Sequence, residues 1–419
     1  MEPEQEPVRV VTIGAALSAN KGAASMLQAV LDHLPDVLGR PVEFTVLTTY
    51  PKQDAAERTD TGIRLVSATP LQLLVVMFPI ALIAALLRLF RINLRQLPMS
   101  AAANAIIRSD VVLDLAGISF SDGRGLPILA YNTLMSGVPL LLGAQVVKCS
   151  QALGPFDERL NRMAASLILP RIVAVCGRGP ETMRHLNSIG LSNATETADL
   201  AFLMDVDPDS RSRADRLLVD VPEDFIIVSP SSVVDSYCQQ TGIDYPAMLI
   251  EFVDRVAGSG TAVVLMPHSY RPDASASRMN DGPLCKQIYD SLADRSTVTL
   301  IDSSEDPRTL RAMIDRAEYL VTSRFHAMIS ALATQTPVLV ISWSHKYVEV
   351  MAEFNLEHFV LAHDDLNLDQ VVSAYSHLRE SRESVTTLMR ERLDSTRDSA
   401  RRTLDVVTRL VGQSRGSLG

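Results

Sequence analysis

The sequence predicts an α/β protein with two doubly wound domains, each a parallel sheet covered by helices, and a helical C-terminal tail. Short apolar segments rich in β-branched residues alternate with helical segments, which is typical of buried parallel strands. This alternation stops at a charged stretch near residue 206 and then restarts. A length of 419 residues also exceeds what one hydrophobic core usually supports, so we expect two domains.

The first domain is predicted to span residues 1–205. It opens with a β-branched strand from Val8 to Ala15, followed by a helix from Ala24 to Leu34 whose apolar residues recur at helical spacing. The next apolar segments are interpreted as buried strands: Val42 to Thr48, Val111 to Leu115, Pro139 to Gly143 and Ile172 to Cys176.

Residues 206–223 are charged and contain two prolines, so they are predicted to be a linker. The second domain is predicted over 224–365, and 366–419 are expected to form the helical tail. The predicted helices of the second domain include Tyr245 to Ala257, Pro307 to Ala317 and His326 to Ala333. Its predicted strands are Phe225 to Val228, Ala262 to Met266, Val298 to Ile301, Tyr319 to Thr322 and Val338 to Ile341.

One segment of the first domain, Leu73 to Leu87, is apolar throughout, and Arg88, Arg91 and Arg95 follow it. It is shorter than the roughly 20 residues that a spanning helix needs, and Pro79 interrupts it. Two interpretations stay open: a buried helix of the first domain, or a helix lying in one face of a membrane with its arginines at anionic headgroups. A spanning helix is the least favoured.

Composition narrows the function classes. The net charge of −10 argues against a general nucleic-acid binder, because neutralising phosphates needs a basic surface. The four cysteines, Cys149, Cys176, Cys238 and Cys285, are scattered, which favours small hydrophobic residues in a reducing compartment over a metal site. Met1 to Pro7 lacks the apolar run of a signal peptide. We therefore expect a cytoplasmic protein, with peripheral contact to the inner face of the cell membrane if residues 73–87 dock there.

Ligands of doubly wound domains bind at the carboxyl ends of the strands, so polar residues there are candidates. In the first domain the small-residue turn containing Asn20 and Gly22 can expose backbone N–H groups to an anion. Asp122 either binds a sugar hydroxyl or caps the following helix. Gln145 follows the predicted strand Pro139 to Gly143 and is expected to line the ligand-binding cleft at the carboxyl ends of the strands.

Cationic residues follow several predicted strands. Arg178 comes at the end of a buried strand and beside a helix start, which suits a carboxylate or phosphate. Ser323, Arg324 and His326 follow the strand Tyr319 to Thr322; a histidine there can move a proton, and Arg324 either holds an anion or packs inward. Lys346 lies past the next strand and can neutralise a phosphate.

Taken together and in their order along the chain, the motifs of this sequence resemble those of the polysaccharide pyruvyl transferase family over residues 8 to 360. The matching motifs are Gly14 with Asn20-Lys-Gly22, Asp110-Val-Val with Ala116-Gly117, Gly143-Ala-Gln145 with Gly154-Pro155-Phe156, Arg178 to Thr182, Leu186 to Gly190 with Asp199-Leu-Ala201, and Ser323-Arg-Phe-His326-Ala with Thr336-Pro-Val-Leu339 and Lys346. Departures from the family pattern occur at Ala23, Ala116 and Gly179.

The resemblance implies two Rossmann-like domains as in GT-B glycosyltransferases. It also implies transfer of a pyruvyl group from phosphoenolpyruvate to a saccharide or lipid-linked glycan, forming a ketal in cell-envelope or extracellular polysaccharide or glycolipid biosynthesis. No cofactor or metal is implied, since phosphoenolpyruvate is itself the donor substrate.

Roles for the candidate residues follow from this resemblance and from the charges of the donor. Arg178 and His326 are the expected catalytic residues. Donor binding is expected from Arg178, Ser323, Arg324 and Lys346, and acceptor binding from Asn20, Gly22, Asp122 and Gln145. A nucleotide-sugar glycosyltransferase of the GT-B type is the alternative enzyme. A non-catalytic partner subunit docked on a membrane by Leu73 to Leu87 is the alternative from another class.

Overall fold

The structure is a computed structural model that describes residues 6–18, 20–57, 62–270 and 280–416. Most of the segment judged for a signal peptide, residues 1–5, therefore lies outside the described residues, as does Ala19 of the first turn. The chain divides into two compact units. The first takes the described residues up to Met204 and those from Arg397 onward, and the second is Asp205–Thr396.

The first unit contains a parallel sheet in the order β3-β2-β1-β4-β6-β7-β8, with β5 paired to β6. Its strands are β1 (Val8–Ile13), β2 (Val42–Thr48), β3 (Arg64–Ser67), β4 (Val111–Asp114), β5 (Ile118–Ser119), β6 (Val146–Leu153), β7 (Ala174–Arg178) and β8 (Thr195–Thr197). The strand order reverses between β1 and β4. In sheets of this type the crevice at that reversal is where ligands bind.

The second unit has the parallel order β11-β10-β9-β12-β13-β14, which is the Rossmann order and reverses between β9 and β12. Its strands are β9 (Phe225–Ser229), β10 (Ala262–Leu265), β11 (Val298–Leu300), β12 (Tyr319–Thr322), β13 (Val338–Ser342) and β14 (Val360–Ala362). The predicted fold class, two Rossmann-like doubly wound domains with a helical C-terminal segment, is confirmed.

Helices connect the strands in both units. In the first unit they are Lys21–Leu38, Pro51–Glu57, Pro70–Leu89, Ala101–Arg108, Leu126–Leu142, Arg159–Ile168 and Gly179–Ser188. In the second unit they are Pro208–Leu217, Ser232–Thr241, Tyr245–Gly258, Gly282–Ser291, Pro307–Arg316, Phe325–Thr334, His345–Glu353 and Leu368–Glu380. The last helix, Arg382–Gly416, begins in the second unit and continues into the first.

One predicted strand is wrong. Pro139 to Gly143 forms the last turn of the helix Leu126–Leu142, and Gly143 ends that helix in the left-handed conformation with φ 87°. A glycine in this conformation is a common helix terminator because it has no β-carbon to clash. The strand of this region is β6, which starts after that glycine.

The predicted linker, residues 206–223, contains a helix. Asp207 caps its amino end by accepting a hydrogen bond from the backbone N–H of Ser210, and Pro208 occupies the first turn. Arg213 of this helix forms a two-point ion pair with Glu305 of the second unit, at 2.8 and 3.0 Å. This segment is therefore part of the second unit, since the polar residues that suggested a linker form its helix cap and ion pairs.

Among the described residues, one helix is long and apolar enough to cross a membrane, Pro70–Leu89. It packs on the first unit through Leu73, Met77, Ala81 and Ala84, which join a core formed with the sheet and neighbouring helices. Only 22% of its apolar window is buried, so the interpretation as a buried helix is wrong.

Candidate functional site

In the first unit the strand order reverses between β1 and β4, and the chain segments that leave these two strands come very close together. Gly14 follows β1 with φ 79°, and a β-carbon there would lie 2.7 Å from the backbone nitrogen of Ala116 and 2.9 Å from Oδ1 of Asp114. Only glycine fits this contact, because those atoms belong to the chain that leaves β4. The turn after β1 is therefore fixed against the loop after β4.

A buried polar cluster lies beneath this edge of the sheet. Lys148 is fully buried, and its Nζ lies 2.6 Å from Oδ2 of Asp114, 3.1 Å from Oε1 of Gln151 and 3.2 Å from Oγ of Ser119. Gln151 in turn donates to the backbone oxygen and to Oδ1 of Asp114, both at 2.7 Å. The cluster joins β4, β5 and β6 and satisfies its buried charges internally.

Arg178 ends β7 and is only 6% exposed. Its Nη1 donates to the carboxylate of Asp199, and its Nη2 donates to the backbone oxygen of Gly117 at 3.1 Å. Asp199 is itself fixed, because its Oδ1 accepts the N–H of Ala201 at 2.9 Å. The guanidinium is therefore held in one orientation beside the loop that follows β4. Sequence reasoning noted Asp199 only as a family motif and gave it no role.

Two predicted acceptor residues, Asn20 and Gly22, lie at the start of the first helix. Asn20 is exposed and caps the helix, since its Oδ1 accepts the N–H of Gly22 at 3.0 Å. The buried Lys21 between them pairs with Glu57 at 3.0 Å. This turn follows β1, so Asn20 lies at the carboxyl edge of the sheet, as predicted for a ligand-binding position.

Asp122 has a structural role in the first unit. Its Oδ2 accepts the backbone N–H groups of Asp157 and Glu158 at 2.6 and 3.0 Å, and its Oδ1 accepts Nδ2 of Asn161 at 2.7 Å. The carboxylate thus holds the turn that leads into the helix Arg159–Ile168. The predicted cap of the following helix is wrong, because that helix, Leu126–Leu142, begins after Gly125 and has no side-chain cap hydrogen bond.

The predicted position of Gln145 is wrong. Gln145 precedes β6, and its backbone oxygen accepts the N–H of Val112 near the start of β4. It therefore lies at the amino ends of the strands, away from the edge where Gly14 and Arg178 lie. The error follows directly from the misassigned strand Pro139 to Gly143, which placed Gln145 after a strand rather than before one.

In the second unit, Arg324 packs inward. Its Nε donates to Oδ2 of Asp281 at 2.7 Å, its Nη2 to Oδ1 of the same carboxylate, and it is largely buried. Burial acts to lower the pKa of Arg324, but the charge of Asp281 outweighs it and raises that pKa above its ordinary value. Asp281 also accepts the N–H groups of Ser232 and Ser269. The predicted donor contact of Arg324 is thus replaced by a structural ion pair.

This ion pair leads to a prediction. Arg324→Lys keeps the charge but loses the planar two-point grip, so we expect it to lower the free energy of unfolding by about 1–3 kcal/mol. Urea unfolding of the variant, monitored by circular dichroism, measures this loss. Arg255→Lys, at an exposed position on a neighbouring helix, serves as the control and should be unchanged. Equal stability of Arg324→Lys and the unmodified protein would contradict the structural role.

Ser323 is also directed into the protein. Its Oγ lies 2.7 Å from the hydroxyl of Tyr245, and its backbone oxygen accepts the hydroxyl of Tyr347 at 3.1 Å. Burial raises the pKa values of Tyr245 and Tyr347 well above the ordinary value for tyrosine, so both hydroxyls keep their protons. Ser323 therefore anchors the end of β12 instead of contacting the donor as predicted. Tyr245 and Tyr347, which sequence reasoning missed, fix the segment that leads to His326.

His326 and Lys346 are brought together around one aromatic ring. His326 lies in the first turn of the helix Phe325–Thr334, and its ring packs edge to face on Phe325 at 5.1 Å. Lys346 Nζ lies 4.8 Å from the centre of the same Phe325 ring and 4.9 Å from that of Trp343. Both residues follow adjacent strands, β12 and β13, at their carboxyl ends. A cation over aromatic faces is held in position by their negative quadrupole.

The described residues contain no group of three or more His, Cys, Asp or Glu that could hold a metal ion. The four cysteines are free thiols and fully buried. Burial raises the pKa of Cys176 to about 11, and that of Cys149 well above its ordinary value. These thiols therefore stay protonated at neutral pH and serve as small apolar side chains, as the sequence predicts.

Two Rossmann-like domains with cationic and polar residues at the carboxyl ends of their strands define the GT-B-like fold class. The chain belongs to the polysaccharide pyruvyl transferase family, whose sequence model matches residues 20–345. This range includes Arg178 and the segment from Ser323 to His326, and it ends one residue before Lys346. The resemblance inferred from the motifs is confirmed, and the protein is accordingly a transferase of polysaccharide biosynthesis.

Solved structures support the fold. A protein of Listeria monocytogenes assigned as a UDP-N-acetylglucosamine 2-epimerase is similar with a TM-score of 0.61 at 13% identity, covering 96% of each chain. The UDP-GlcNAc 2-epimerase of Neisseria meningitidis, bound to UDP-GlcNAc, has a TM-score of 0.54 at 12% identity, covering 96% of this chain and 99% of its own. The UDP-GlcNAc 2-epimerase of Methanocaldococcus jannaschii has a TM-score of 0.52 at 11% identity, covering 96% of this chain and 99% of its own. A search of curated protein sequences gave no significant match.

Proposed function

We propose that the protein transfers a pyruvyl group from phosphoenolpyruvate to two hydroxyl groups of a saccharide, forming a ketal and releasing phosphate. The observation that carries this proposal is the family match, because it runs from Asn20 through His326 and so contains the candidate residues of both units except Lys346. The candidate residues that follow a strand lie at the carboxyl end of that strand, and this is the edge of the sheet at which doubly wound domains bind ligands.

The donor carries a carboxylate and a phosphate, so it needs cationic partners. We propose Lys346 and Arg178 for this role. Lys346 is a compact charge held beside Trp343 and Phe325. Arg178 is paired with Asp199 and donates to the backbone oxygen of Gly117, and a guanidinium held in this way can also donate to a bound carboxylate or phosphate, since it carries five N–H donors. Arg324 is left out of donor binding, because Nε and Nη2, which form one edge of its guanidinium, both donate to the single carboxylate of Asp281.

His326 is proposed as the general acid. It donates a proton to the methylene carbon of the enol ester, which becomes a methyl group, while the central carbon becomes electrophilic. A sugar hydroxyl oxygen bonds to that carbon and loses its proton. The bond from carbon to the phosphate oxygen then breaks, and a second hydroxyl adds and closes the ketal. The proton of the methyl group comes from His326, which is reprotonated by the proton of one sugar hydroxyl, and the proton of the other hydroxyl leaves with phosphate.

The setting of the reaction is also a proposal. The four buried, unpaired thiols agree with a reducing compartment, which supports a cytoplasmic location. The acceptor is proposed to be a saccharide or a lipid-linked glycan of cell-envelope or extracellular polysaccharide biosynthesis. We propose that neither a metal nor a cofactor is needed, so chelation with EDTA should leave turnover unchanged.

The test is ligand-dependent thermal stability followed by product analysis. Phosphoenolpyruvate is expected to raise Tm, because a ligand that binds only the native state stabilises it, whereas UDP-, GDP- and ADP-sugars should not. Incubation with phosphoenolpyruvate and lipid-linked glycans should then give a product with one added pyruvyl ketal by mass spectrometry. A shift with a nucleotide sugar alone would favour a glycosyltransferase, and no shift with any ligand would favour a non-catalytic subunit.

A further inference from the structure

The first unit exposes a broad apolar surface along the helix Pro70–Leu89 and the turn that follows it. We call this surface the apolar face. Its exposed large side chains are Leu71, Leu74, Val75, Val76, Leu82, Ile83, Leu86, Leu89, Phe90 and Ile92. Leu89 is 79% and Phe90 is 72% exposed. Soluble proteins rarely expose so many neighbouring apolar side chains unless another surface covers them.

The apolar face continues into a groove of about 750 Å³. The groove lies between this helix and the helices Leu126–Leu142 and Arg159–Ile168, and Leu89, Leu134 and Leu167 are among the side chains that line it. Arg88 and Arg171 are also among its lining residues. Its chemistry is therefore hydrocarbon walls with guanidinium groups beside them, which suits an acyl chain next to an anionic headgroup.

Charge on this part of the chain has one sign. Residues 61–109 contain five arginines and no acidic residue, although the whole chain carries a net charge of −10. Arg88 lies in the last turn of the apolar helix, Arg91 and Arg95 follow it, and all three are exposed. An apolar strip flanked by arginines is complementary to a surface that is apolar inside and anionic at its boundary.

We propose that the apolar face docks the protein on an anionic phospholipid bilayer, with the helix Pro70–Leu89 lying in the plane of the interface. Leu73, Met77, Ala81 and Ala84 are nearly fully buried in the core of the first unit, so the helix is attached along its length. Crossing the bilayer would remove these four side chains from that core.

A second copy of the chain fits this surface less well than a bilayer does. A symmetric dimer through the apolar face would bring the same patch of each copy together. If the two helices paired in parallel, the arginines at their carboxyl ends would lie together, and like charges brought together at an interface are costly. If they paired antiparallel, those arginines would lie beside the other helix's amino end, and residues 61–109 contain no acidic residue to pair with them. A bilayer with anionic headgroups offers apolar contact and opposite charge together.

The test is flotation of the purified full chain with vesicles. Binding is expected to vesicles of equal parts phosphatidylcholine and phosphatidylglycerol, to weaken at high salt, and to be much weaker with phosphatidylcholine alone. Ile83→Glu with Leu86→Glu should lower the partition constant by at least about a hundredfold, because both side chains leave the apolar phase. Arg88→Gln with Arg95→Gln should lower it by at least about tenfold.

Matched controls keep the result specific. Val219→Glu replaces an apolar residue of the second unit that is more exposed than Ile83 and Leu86, and Arg255→Gln with Arg390→Gln removes two exposed arginines there. These variants should bind vesicles like the unmodified protein. Equal binding by the Ile83 and Leu86 variant, or no binding to anionic vesicles, would overturn the proposal. Retention after carbonate extraction would show a spanning helix instead, and concentration-dependent dimers that abolish flotation would show a second copy as the occupant.

Discussion

Replacing His326 with alanine is expected to lower kcat of the proposed pyruvyl transfer by about 10²- to 10⁴-fold, which is what one general acid usually contributes. The ring lies in the first turn of its helix, beside the ring of Phe325, which the ammonium group of Lys346 also contacts. Its loss should leave the fold intact, because the strand end is anchored by Ser323 through Tyr245 and Tyr347. Product formation followed by mass spectrometry, with the thermal unfolding curve recorded alongside, measures both properties.

His345→Ala is the matched control for this experiment. His345 is an exposed histidine at the start of the helix His345–Glu353, which follows the neighbouring strand β13. We expect it to turn over normally. If the His326→Ala protein is folded and keeps normal turnover, His326 has no role as a proton donor. If both variants lose activity equally, the effect belongs to this edge of the domain rather than to His326.

Replacing Asp114 with alanine is expected to lower the free energy of unfolding of the first unit by about 3–5 kcal/mol. The change leaves the fully buried ammonium of Lys148 without its carboxylate, whose Oδ2 lies 2.6 Å away in the structure. It also removes an acceptor of Gln151. Urea unfolding of the variant measures the loss.

Two further variants show how much of the stability lost in Asp114→Ala comes from the unpaired charge of Lys148 and how much from lost packing. Asp114→Leu combined with Lys148→Met removes both charges, and we expect it to recover most of the stability lost in Asp114→Ala. Asp215→Ala removes an exposed pair with Arg316, in which both side chains are more than half exposed, and should cost at most about 1 kcal/mol. If Asp114→Ala costs no more than Asp215→Ala, the buried pair does not stabilise the unit.

Apolar, β-branched segments were sufficient to predict most central strands. Val42–Thr48 and Tyr319–Thr322 have the predicted bounds. Tyr319–Thr322 is buried throughout, as a strand covered on both faces is, whereas Val42–Thr48 is buried mainly in its second half. Three short strands at or near sheet edges, β3, β8 and β14, were not predicted. Each has three or four residues, and β8 reads Thr-Glu-Thr, so they carry too little hydrophobic pattern to be recognised.

The misassigned strand shows where local pattern fails. Pro139 to Gly143 is a short apolar run, and such a run cannot be distinguished by periodicity from the end of a buried helix. The terminating Gly143 was the available signal, since glycine commonly follows a helix. Reading it that way would have placed Gln145 before its strand and removed it from the candidate site.

Only part of the candidate site could be predicted from the sequence. The sequence shows which residues follow strands, and so it located Arg178, His326 and Lys346 at the carboxyl ends of β7, β12 and β13. It could not show which charges neutralise each other. Asp281 is 43 residues from Arg324 in sequence, and only the packing of their elements brings the two together.

The last helix has a consequence for how the protein is made. Residues 397–416 belong to the first unit, where Thr403 is fully buried and bonds to Ser150 at 2.9 Å, and Ser399 accepts the N–H of Ala198. These residues emerge from the ribosome only after the entire second unit has been synthesised, a delay on the order of 10 to 40 seconds. The amino-terminal half therefore waits, incomplete, for its final helix, and the second unit can mature before the first.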